Sequence, residues 1–317
     1  MSERPEISII VVSYNTREMT LECLRSVVGE TRLTDYELLV VDNASSDGSA
    51  AAIATEFPDL ELIALEENIG FARANNLAAN QARGERLLLL NPDTVVLDGA
   101  LDRLVAFATA RPGARIWGGR TLFADRSLNP TSCWGAMSVW SLFSRAVGLT
   151  VLFPRSERFN PEPLGDWQRD SVREVDIVTG CLLLIDRPFW DELGGFDARY
   201  FMYGEEADLC HRARARGAGP VMTPEATIVH YGSASDTGNK AAAVAAARIT
   251  LIREHWSPLA RRAGVFLSWA SALTHHLAYA TATRLLVPLL PGRAGLREQA
   301  RMHGGVWHER KRWLAGY

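Results

Sequence analysis

The first 120 residues alternate between short apolar runs and segments with helical spacing, and this alternation restricts the fold more than any other feature. The runs are rich in leucine or β-branched residues, which predicts buried strands. These predicted strands are Ile7–Val12, Leu38–Val41, Leu60–Leu65 and Leu87–Leu90. The predicted helices are 17–28, 48–57, 70–83 and 98–110, the last with Asp98 as its N-cap. Strands that alternate with helices predict βαβ units and a mainly parallel sheet, which is an α/β fold.

The remainder of the chain has a less regular pattern. Residues 121–175 are irregular and rich in Trp, Pro, Arg and Ser, and a connection of this length predicts a functional or mobile segment. The later predicted elements are a strand at Cys181–Asp186, helices at Pro188–Leu193 and 206–216, a strand that ends at Val229, and helix from 241 onward. We therefore predict one α/β domain over 1–240, with halves 1–120 and 121–240, and a helical appendage over 241–317.

Polar residues directly follow each of the first four predicted strands. They are Ser13-Tyr14-Asn15, Asp42-Asn43, Glu67-Asn68 and Asn91-Pro92-Asp93. Ligands of open parallel sheets bind beyond the carboxyl ends of the strands. A single polar loop is ordinarily just a turn, but four in succession, each with a carboxylate or carboxamide, favour a binding site at this edge.

The chain lacks the usual motifs for holding phosphate groups. It has no G-x-G-x-x-G after the first strand and no G-x-x-x-x-G-K-[ST], and it also lacks a G-x-S-x-G nucleophile elbow. A phosphate-bearing ligand would therefore need a metal ion. Asp93, held in a rigid turn by Pro92, is the best candidate ligand, since hard divalent cations bind one or two carboxylates together with phosphate oxygens. His230 follows a strand and could add an imidazole nitrogen. The alternatives are a turn residue at 93 and a structural histidine at 230.

Two adjacent carboxylates begin the predicted helix 206–216. Gly204 permits a sharp turn, and Glu205 and Glu206 then lie at the positive end of the helix dipole. Acidic residues there often only complement the dipole, but behind the aromatic residues 201–203 they could also supply a general base. Asp208 and Arg212 are spaced i,i+4 and are predicted to pair on the helix surface.

Taken together, these segments resemble family 2 glycosyltransferases with the GT-A fold, and within them the bacterial rhamnosyltransferase-like branch. The resemblance covers roughly residues 5–235. It is carried, in the family's order, by IIVVSYN at Ile9–Asn15, VDNASSDGS at Val41–Ser49, NIGFARANN at Asn68–Asn76, LLLLNPDT at Leu87–Thr94 and TGCLLLIDRPFWDELGGFDARYFMYGEEADLCHR at Thr179–Arg212. Any one of these motifs is weak, whereas the combination is specific.

The resemblance implies roles by position. The implied nucleotide-sugar contacts are Ser13, Tyr14, Asn15, Asp42, Asn43, Gly70, Phe71, Arg73, Asn75 and Asn91. Among these, Asp42 would bind the base. Asn91-Pro92-Asp93 stands where the family has D-x-D, so Asp93 is the implied metal ligand and His230 matches a second metal-contacting position. Glu206 stands where the family has the catalytic Asp of a Glu-Asp pair, which leaves open whether Glu205 or Glu206 is the base.

The implied reaction is a single displacement that inverts the anomeric carbon. Mg²⁺ or Mn²⁺ would neutralise the diphosphate leaving group while the carboxylate takes a proton from an acceptor hydroxyl. The implied donor is dTDP-L-rhamnose or another dTDP-, UDP- or GDP-sugar, and the acceptor is a glycan or a polyprenyl-diphosphate-linked glycan of the cell envelope. Two alternatives remain: a non-catalytic nucleotide-sugar-binding protein with this fold, and a sugar-nucleotide pyrophosphorylase. The second would need a Gly-rich loop after the first strand, and Ser13-Tyr14-Asn15 is not one.

The net charge of −3 divides unevenly along the chain. Residues 241–317 hold 11 basic and 3 acidic residues, about +8, whereas 1–240 carry about −11. Such a tail predicts contact with an anionic surface, and nothing indicates nucleic-acid binding. Gly264–Thr283 is mostly apolar and near bilayer-spanning length, but His275 and His276 near its middle argue against a span. Its flanking and following basic residues are Arg261, Arg262, Arg284, Arg293, Arg297, Arg301, Arg310, Lys311 and Arg312, interleaved with Trp307 and Trp313.

We favour an interfacial helical element that meets anionic lipid. The alternative is an appendage that packs on the α/β domain or on a second copy of the chain in a homodimer. The N-terminus has no basic stretch followed by an apolar one, so no signal peptide is predicted. The four cysteines are far apart and suggest neither a zinc site nor a disulfide framework. The predicted location is the cytoplasm, peripheral on the cytoplasmic face of the inner membrane.

Overall fold

A computed structural model describes residues 4–232, 240–286 and 294–317, which fall into two compact units. The sheet unit comprises Met1–Trp134 and Trp167–Asp236, and the helical unit comprises Gly135–Asp166 and Thr237–Tyr317. The predicted division at 240 assigned 135–166 to the α/β domain. In the structure this segment belongs instead with the C-terminal helices.

The sheet unit follows the predicted alternation in its first half. Its strands are β1 Ile7–Ser13, β2 Tyr36–Asp42, β3 Glu61–Ala64, β4 Arg86–Leu90, β5 Thr94–Val96, β6 Ile116–Leu122, β7 Leu128–Asn129, β8 Cys133–Trp134, β9 Arg173–Glu174, β10 Ile177–Val178, β11 Leu182–Asp186 and β12 Val221–His230. Its helices are α1 Arg17–Glu30, α2 Ser49–Glu56, α3 Phe71–Gln81, α4 Ala100–Ala110, α7 Arg187–Leu193 and α8 Glu205–Ala215. The helical unit contains α5 Val139–Ala146, α6 Leu149–Leu152, α9 Lys240–His255, α10 Pro258–Leu286, α11 Ala294–His308 and α12 Arg310–Trp313.

The main sheet has the strand order β3-β2-β1-β4-β11-β6-β12-β5. β3, β2, β1 and β4 are parallel to one another, as predicted, and β1 and β4 are buried on both faces because their side chains are almost all apolar. β11 lies antiparallel between β4 and β6, and β12 runs parallel to β6 and antiparallel to β5. The α/β architecture with a mainly parallel sheet is therefore confirmed, with an antiparallel strand inserted at its centre.

Two predictions about local structure are wrong. Asp98 does not cap α4, because the chain enters the helix through Gly99 in a left-handed conformation at φ 66° and no side chain caps the first turn. Residues 121–175 are not uniformly irregular, since they contain β7 to β9 and also α5 and α6. The start of α5 carries a capping box, in which Ser138 and Ser141 exchange hydrogen bonds.

The helical unit has a core of its own. Leu142 of α5 packs in one cluster with Ile249 and Ile252 of α9, Ala272 of α10 and Trp313 of α12. Beside this core, Arg248 of α9 forms a bidentate ion pair with Glu162, at 2.6 and 2.9 Å. Burial alone would raise the pKa of Glu162, but the Arg248 guanidinium holds it at about 2. A segment from the middle of the sequence thus depends on the C-terminal helices for its packing.

In the C-terminal tail, which was predicted to contact lipid, two tryptophan side chains pack against other residues of the helical unit. Trp313 is buried and donates its indole N–H to the Val306 carbonyl oxygen at 2.7 Å, and Trp307 stacks on His276. Arg293 lies outside the described residues. Within the described ranges, no helix combines the length and the apolar character needed to cross a bilayer.

Acidification is expected to destabilise the helical unit through His303. Its ring stacks on Tyr279 at 4.7 Å and lies 5.1 Å from His275. Burial, with the charges of His275, Arg145 and His276, lowers the pKa of His303 to about 4 from its ordinary 6.5. His303 therefore binds a proton more tightly in the unfolded chain than in the folded one. The free energy of unfolding is highest above pH 6.5 and decreases as the pH falls toward 4. On acidification we expect the free energy of unfolding of His303→Gln to fall by on the order of 1–2 kcal/mol less than that of the wild type. The difference is kept to this size because His303 is partly exposed and solvent screens its charge.

Thermal unfolding at pH 7, 5.5 and 4.5 measures this dependence. The matched control is His211→Gln, which changes an exposed histidine of α8 in the sheet unit and should leave the pH profile as in the wild type. Equal pH profiles for His303→Gln and wild type would exclude His303 as the source.

Candidate active site

The ends of β1, β2 and β3 form one hydrogen-bonded rim of polar residues. Asn43 N–H donates to the Ser13 carbonyl oxygen at 2.8 Å, and the Asn43 side chain bonds both the Asn68 side chain and the Ile69 N–H. Asp42 is almost fully buried, and its Oδ2 accepts a hydrogen bond from the Ser45 N–H. Its Oδ1 is buried and has no partner among the described residues. Because an orphaned carboxylate oxygen is costly, it suits an N–H donor from a ligand.

The loop that follows β1 is hydrogen-bonded to the loop that follows β2. Asn15 has a positive φ of 53°, and its Oδ1 accepts a hydrogen bond from the Ser46 N–H at 2.8 Å. The Ser13 hydroxyl lies inside the protein, within 2.9 Å of the Thr20 hydroxyl. Tyr14 between them is partly buried. The predicted nucleotide contacts of Ser13, Tyr14 and Asn15 stay predictions, and within the chain Ser13 and Asn15 hold the loops in place.

The residues predicted to shape the sugar cleft lie at the start of α3. Gly70 has a φ of 84°, and a Cβ there would lie 2.5 Å from the Phe201 carbonyl oxygen, so only glycine fits. That oxygen accepts the Phe71 N–H at 2.8 Å. Arg73 donates to the Ala198 carbonyl oxygen at 3.1 Å, and Asn75 is buried and donates to the Phe71 carbonyl oxygen. Phe71 and Arg73 therefore tie α3 to the segment that leads into α8, Gly70 packs against that segment, and Asn75 bonds within α3.

Strand pairing brings Asn91, Asp93 and His230 together. β4 ends at Leu90, the chain turns into β5, and β5 pairs with β12 in a register that sets His230 opposite Thr94. His230 Nε2 lies 3.3 Å from Asp93 Oδ1 and 3.5 Å from Asn91 Nδ2. The Asp93 and His230 side chains are only 11% and 13% exposed. Two side chains from distant parts of the sequence thus meet at the carboxyl end of β4.

This pair fits a divalent cation in part. Two ligand atoms of a six-coordinate Mg²⁺ at about 2.1 Å lie about 3 Å apart, close to the separation seen here. His230 Nδ1 is buried and has no hydrogen-bond partner in the described ranges. In those same ranges, no group of three or more His, Cys, Asp or Glu side chains is arranged to hold a metal ion. Phosphate oxygens and water would therefore have to complete the coordination.

The two glutamates at the start of α8 are unequal. Gly204 enters the helix at φ 92°, as the predicted sharp turn requires. Glu205 is 4% exposed, and burial together with the neighbouring Glu206 carboxylate raises its pKa well above the ordinary value. Burial also raises the pKa of Glu206, but backbone N–H groups and a hydrogen bond with the Glu205 side chain oppose this. The pKa of Glu205 is therefore raised more than that of Glu206, which favours Glu206 as the proton acceptor of the pair.

Cys181 links the glutamates to the Asp93 side of the site. Its carbonyl oxygen accepts the Asn91 N–H at 3.3 Å. Burial raises the pKa of the Cys181 thiol to about 12, and the negative charges of both Asp93 and Glu206 contribute to that rise. The two acidic centres, 113 positions apart in the sequence, therefore act on the same buried thiol at the start of β11.

Several positioning residues were missed by the sequence reasoning. Asn76 bonds Phe196 twice, donating to its carbonyl oxygen at 2.8 Å and accepting its N–H at 2.9 Å. Arg212 forms the predicted ion pair with Asp208 at 2.7 Å and also donates to the carbonyl oxygens of Leu193 and Gly195. The adjacent asparagines in the motif at 68–76 were a signal for Asn76, but a side chain that binds distant backbone leaves no periodicity.

The chain was compared with known proteins. The model of "Glycosyl transferase family 2" matches residues 8–146. An N-acetylglucosaminyl-diphospho-decaprenol L-rhamnosyltransferase of Mycobacterium tuberculosis is 30% identical over 76% of this chain and 80% of its own length. The O-antigen biosynthesis protein RfbC of Myxococcus xanthus is 29% identical over 73% of this chain, which spans only 18% of that longer protein.

A solved structure has a similar fold. It is the mannosyltransferase PcManGT from Pyrobaculum calidifontis in complex with GDP-Man and Mn²⁺, with a TM-score of 0.59 and 20% identity, covering 99% of this chain and 88% of that one. At this identity the likeness concerns the fold alone. The expected GT-A architecture is thereby confirmed, and the match to the mycobacterial relative over most of its length settles the family. The chain belongs to glycosyl transferase family 2.

Proposed function

We propose that this protein is an inverting, metal-dependent glycosyltransferase that moves L-rhamnose from dTDP-L-rhamnose to a hydroxyl of a lipid-linked glycan in cell-envelope polysaccharide synthesis. One observation carries the proposal: Asp93 and His230 lie 3.3 Å apart at the carboxyl end of β4, in the same unit as the paired carboxyl groups of Glu205 and Glu206 at the start of α8. The sugar and the acceptor are supported by the mycobacterial relative, which is an N-acetylglucosaminyl-diphospho-decaprenol L-rhamnosyltransferase.

In the proposed mechanism, the chain's own residues bind the donor and move one proton. Asp42 Oδ1 accepts an N–H of the base. Asp93 and His230 would hold a Mg²⁺ or Mn²⁺ ion, which when bound neutralises the diphosphate leaving group. Glu206 takes the proton from the acceptor hydroxyl as its oxygen bonds to the anomeric carbon and the bond to the diphosphate breaks. Glu205, protonated, donates a hydrogen bond to Glu206 and fixes its orientation.

A donor screen by thermal unfolding tests the proposal. The full chain is heated with dTDP-L-rhamnose, UDP-glucose or GDP-mannose, each with and without Mn²⁺. We expect dTDP-L-rhamnose with Mn²⁺ to stabilise most, by about 2.7 kcal/mol at a concentration one hundred times its Kd. Stabilisation by another donor would correct the sugar, and stabilisation independent of metal would overturn the metal requirement. No stabilisation by any of them would contradict donor binding.

Product analysis then tests the transfer step. The enzyme is incubated with the preferred donor and an N-acetylglucosaminyl-diphospho-polyprenol in detergent, and the anomeric configuration of the product is read by NMR. Inversion is expected because a single displacement needs no covalent sugar–enzyme intermediate.

A further inference from the structure

Exposed apolar side chains are concentrated in one segment of the helical unit. In the described part of the chain, seven large apolar side chains between positions 139 and 153 are exposed to solvent. They are Val139, Trp140, Phe143, Val147, Val151, Leu152 and Phe153. The whole described sheet unit has five: Val28, Leu33, Phe123, Val172 and Phe201. Scattered exposed apolar residues need no explanation, but a contiguous patch marks an interaction surface.

The exposed side of this segment is separate from the side that packs. Leu142 is buried in the core of the helical unit, and the Ala146 carbonyl oxygen accepts a hydrogen bond from Thr274 of α10 at 3.0 Å. Trp140, Phe143 and Val147 follow one another at spacings of three and four residues, which is one face of a helix. We call the seven exposed side chains the α5–α6 surface. Stability of the unit does not account for them, because the buried face already makes the core contacts.

Aromatic rings hold this surface in shape. Trp140 stacks on Phe143 at 5.8 Å and lies 6.1 Å from Phe159, which in turn is 5.0 Å from Phe153. The Trp140 indole N–H is satisfied by the Arg158 carbonyl oxygen at 2.6 Å. The ring edge of Trp140 therefore carries no unpaired donor, and the surface can be buried in an apolar environment without leaving this polar group unsatisfied.

The net positive charge of the helical unit indicates which kind of partner the α5–α6 surface binds. Positions 139–158 contain three exposed arginines, Arg145, Arg155 and Arg158, and one exposed acidic residue, Glu157, about +2 in all, and Arg155 lies 3.9 Å from Asp166. The whole helical unit has 15 basic and 6 acidic residues, about +9. Two copies that met through this unit would repel each other, whereas an anionic lipid surface attracts such a unit by about 1 kcal/mol per nearby basic residue.

We propose that the α5–α6 surface inserts shallowly into an anionic lipid bilayer, as an anchor distinct from the C-terminal tail predicted from the sequence. This deepens the proposed function, because a lipid-linked acceptor is met at a bilayer. Helical elements that lie in the plane of a membrane typically combine buried apolar and aromatic side chains with surrounding basic residues. The α5–α6 surface has this composition.

Flotation with vesicles tests the anchor without requiring donor or acceptor. The full chain is mixed with phosphatidylglycerol–phosphatidylcholine vesicles or with phosphatidylcholine alone. Val147→Glu/Val151→Glu changes two side chains that are 52% and 63% exposed and make no core contact, so folding is retained. We expect wild type to float with the anionic vesicles and the variant to bind about tenfold or more weakly, since both apolar burial and charge attraction are lost. Val28→Glu/Leu33→Glu, which makes the same charge change at two side chains of the sheet unit that are 52% and 88% exposed, should float as the wild type does.

A second readout uses Trp140 itself. Lipids brominated in the acyl chain should quench part of the wild-type tryptophan emission, and Trp140→Phe should remove that part. Equal flotation of the Val147→Glu/Val151→Glu variant and wild type, or no flotation of wild type, would overturn the proposal. So would a wild-type dimer in sedimentation that the variant converts to monomer, which would assign the surface to a second copy. Donor stabilisation measured on the same variants is independent of these outcomes, so failure of the anchor and failure of the proposed transferase activity are distinguishable.

Discussion

Replacing Glu206 with Gln is expected to lower the turnover number roughly a thousandfold, within the 10²–10⁴ range of a lost general base. The amide keeps the size of the side chain and its hydrogen-bond acceptor oxygen but cannot take a proton. Donor affinity should stay close to the wild-type value, because the carboxylate acts on the acceptor hydroxyl and not on the nucleotide. Steady-state turnover and donor binding by calorimetry, measured on the same preparation, separate the two effects.

Glu205→Gln is the matched control. Burial and the Glu206 charge keep Glu205 protonated, so an amide at position 205 mimics its neutral form. We expect a loss of less than about tenfold at pH 7, because Glu206 loses only the orientation of its partner. In the wild type, turnover should rise with pH through the raised pKa of Glu206. If Glu205→Gln loses a thousandfold and Glu206→Gln retains activity, the base is Glu205.

The sequence was sufficient for the parallel half of the sheet and for the edge at which the polar residues after its strands gather. β1 and β4 are runs in which nearly every side chain is buried, and β2 is buried over its last four residues, so their apolar pattern is continuous. The polar residues after them had to gather at one edge, because parallel strands all end there. Ser13, Asn43 and Asn68 accordingly form one hydrogen-bonded rim, and Asp42 lies next to it in the chain.

β6 was not predicted because two glycines, which close packing requires, interrupt its apolar pattern. Gly118 and Gly119 lie in the middle of the strand, where a Cβ would approach Val178 Cγ1 to 2.5 Å and the Ala226 carbonyl oxygen to 2.2 Å. Glycine in a strand lowers β-propensity, yet here no larger residue fits. Without β6, neither the central antiparallel β11 nor the placement of His230 beside Asp93 could be deduced from local pattern.

α5 was not predicted from the sequence for a different reason. It is eight residues long, and its buried face is completed by α9 and α10, which lie about 100 positions later in the chain. Local propensity carries no information about a partner so distant in sequence. The same fact limits truncation experiments: removing the C-terminal helices would expose Leu142 and leave Glu162 without Arg248, so point substitutions are the sounder test of the tail.

Replacing Asp93 with Asn is expected to abolish metal-dependent stabilisation by the donor. The change keeps the side-chain volume and one oxygen but removes the carboxylate charge that faces His230 Nε2 at 3.3 Å. A hard divalent cation depends on such charge, and a phosphoryl leaving group loses several kcal/mol of stabilisation without it. At about 1.4 kcal/mol for each tenfold change, turnover should fall roughly a thousandfold.

The matched control for this substitution is Asp98→Asn, five positions later and exposed, which should change neither quantity. His230→Gln should have an intermediate effect, because it removes a neutral ligand and leaves the carboxylate in place. Thermal unfolding with dTDP-L-rhamnose is compared with and without Mn²⁺, alongside turnover. Retention of the Mn²⁺-dependent shift in Asp93→Asn would contradict Asp93 as a ligand. A shift lost only in His230→Gln would move the metal site onto β12, the strand whose pairing with β5 brings the two side chains together.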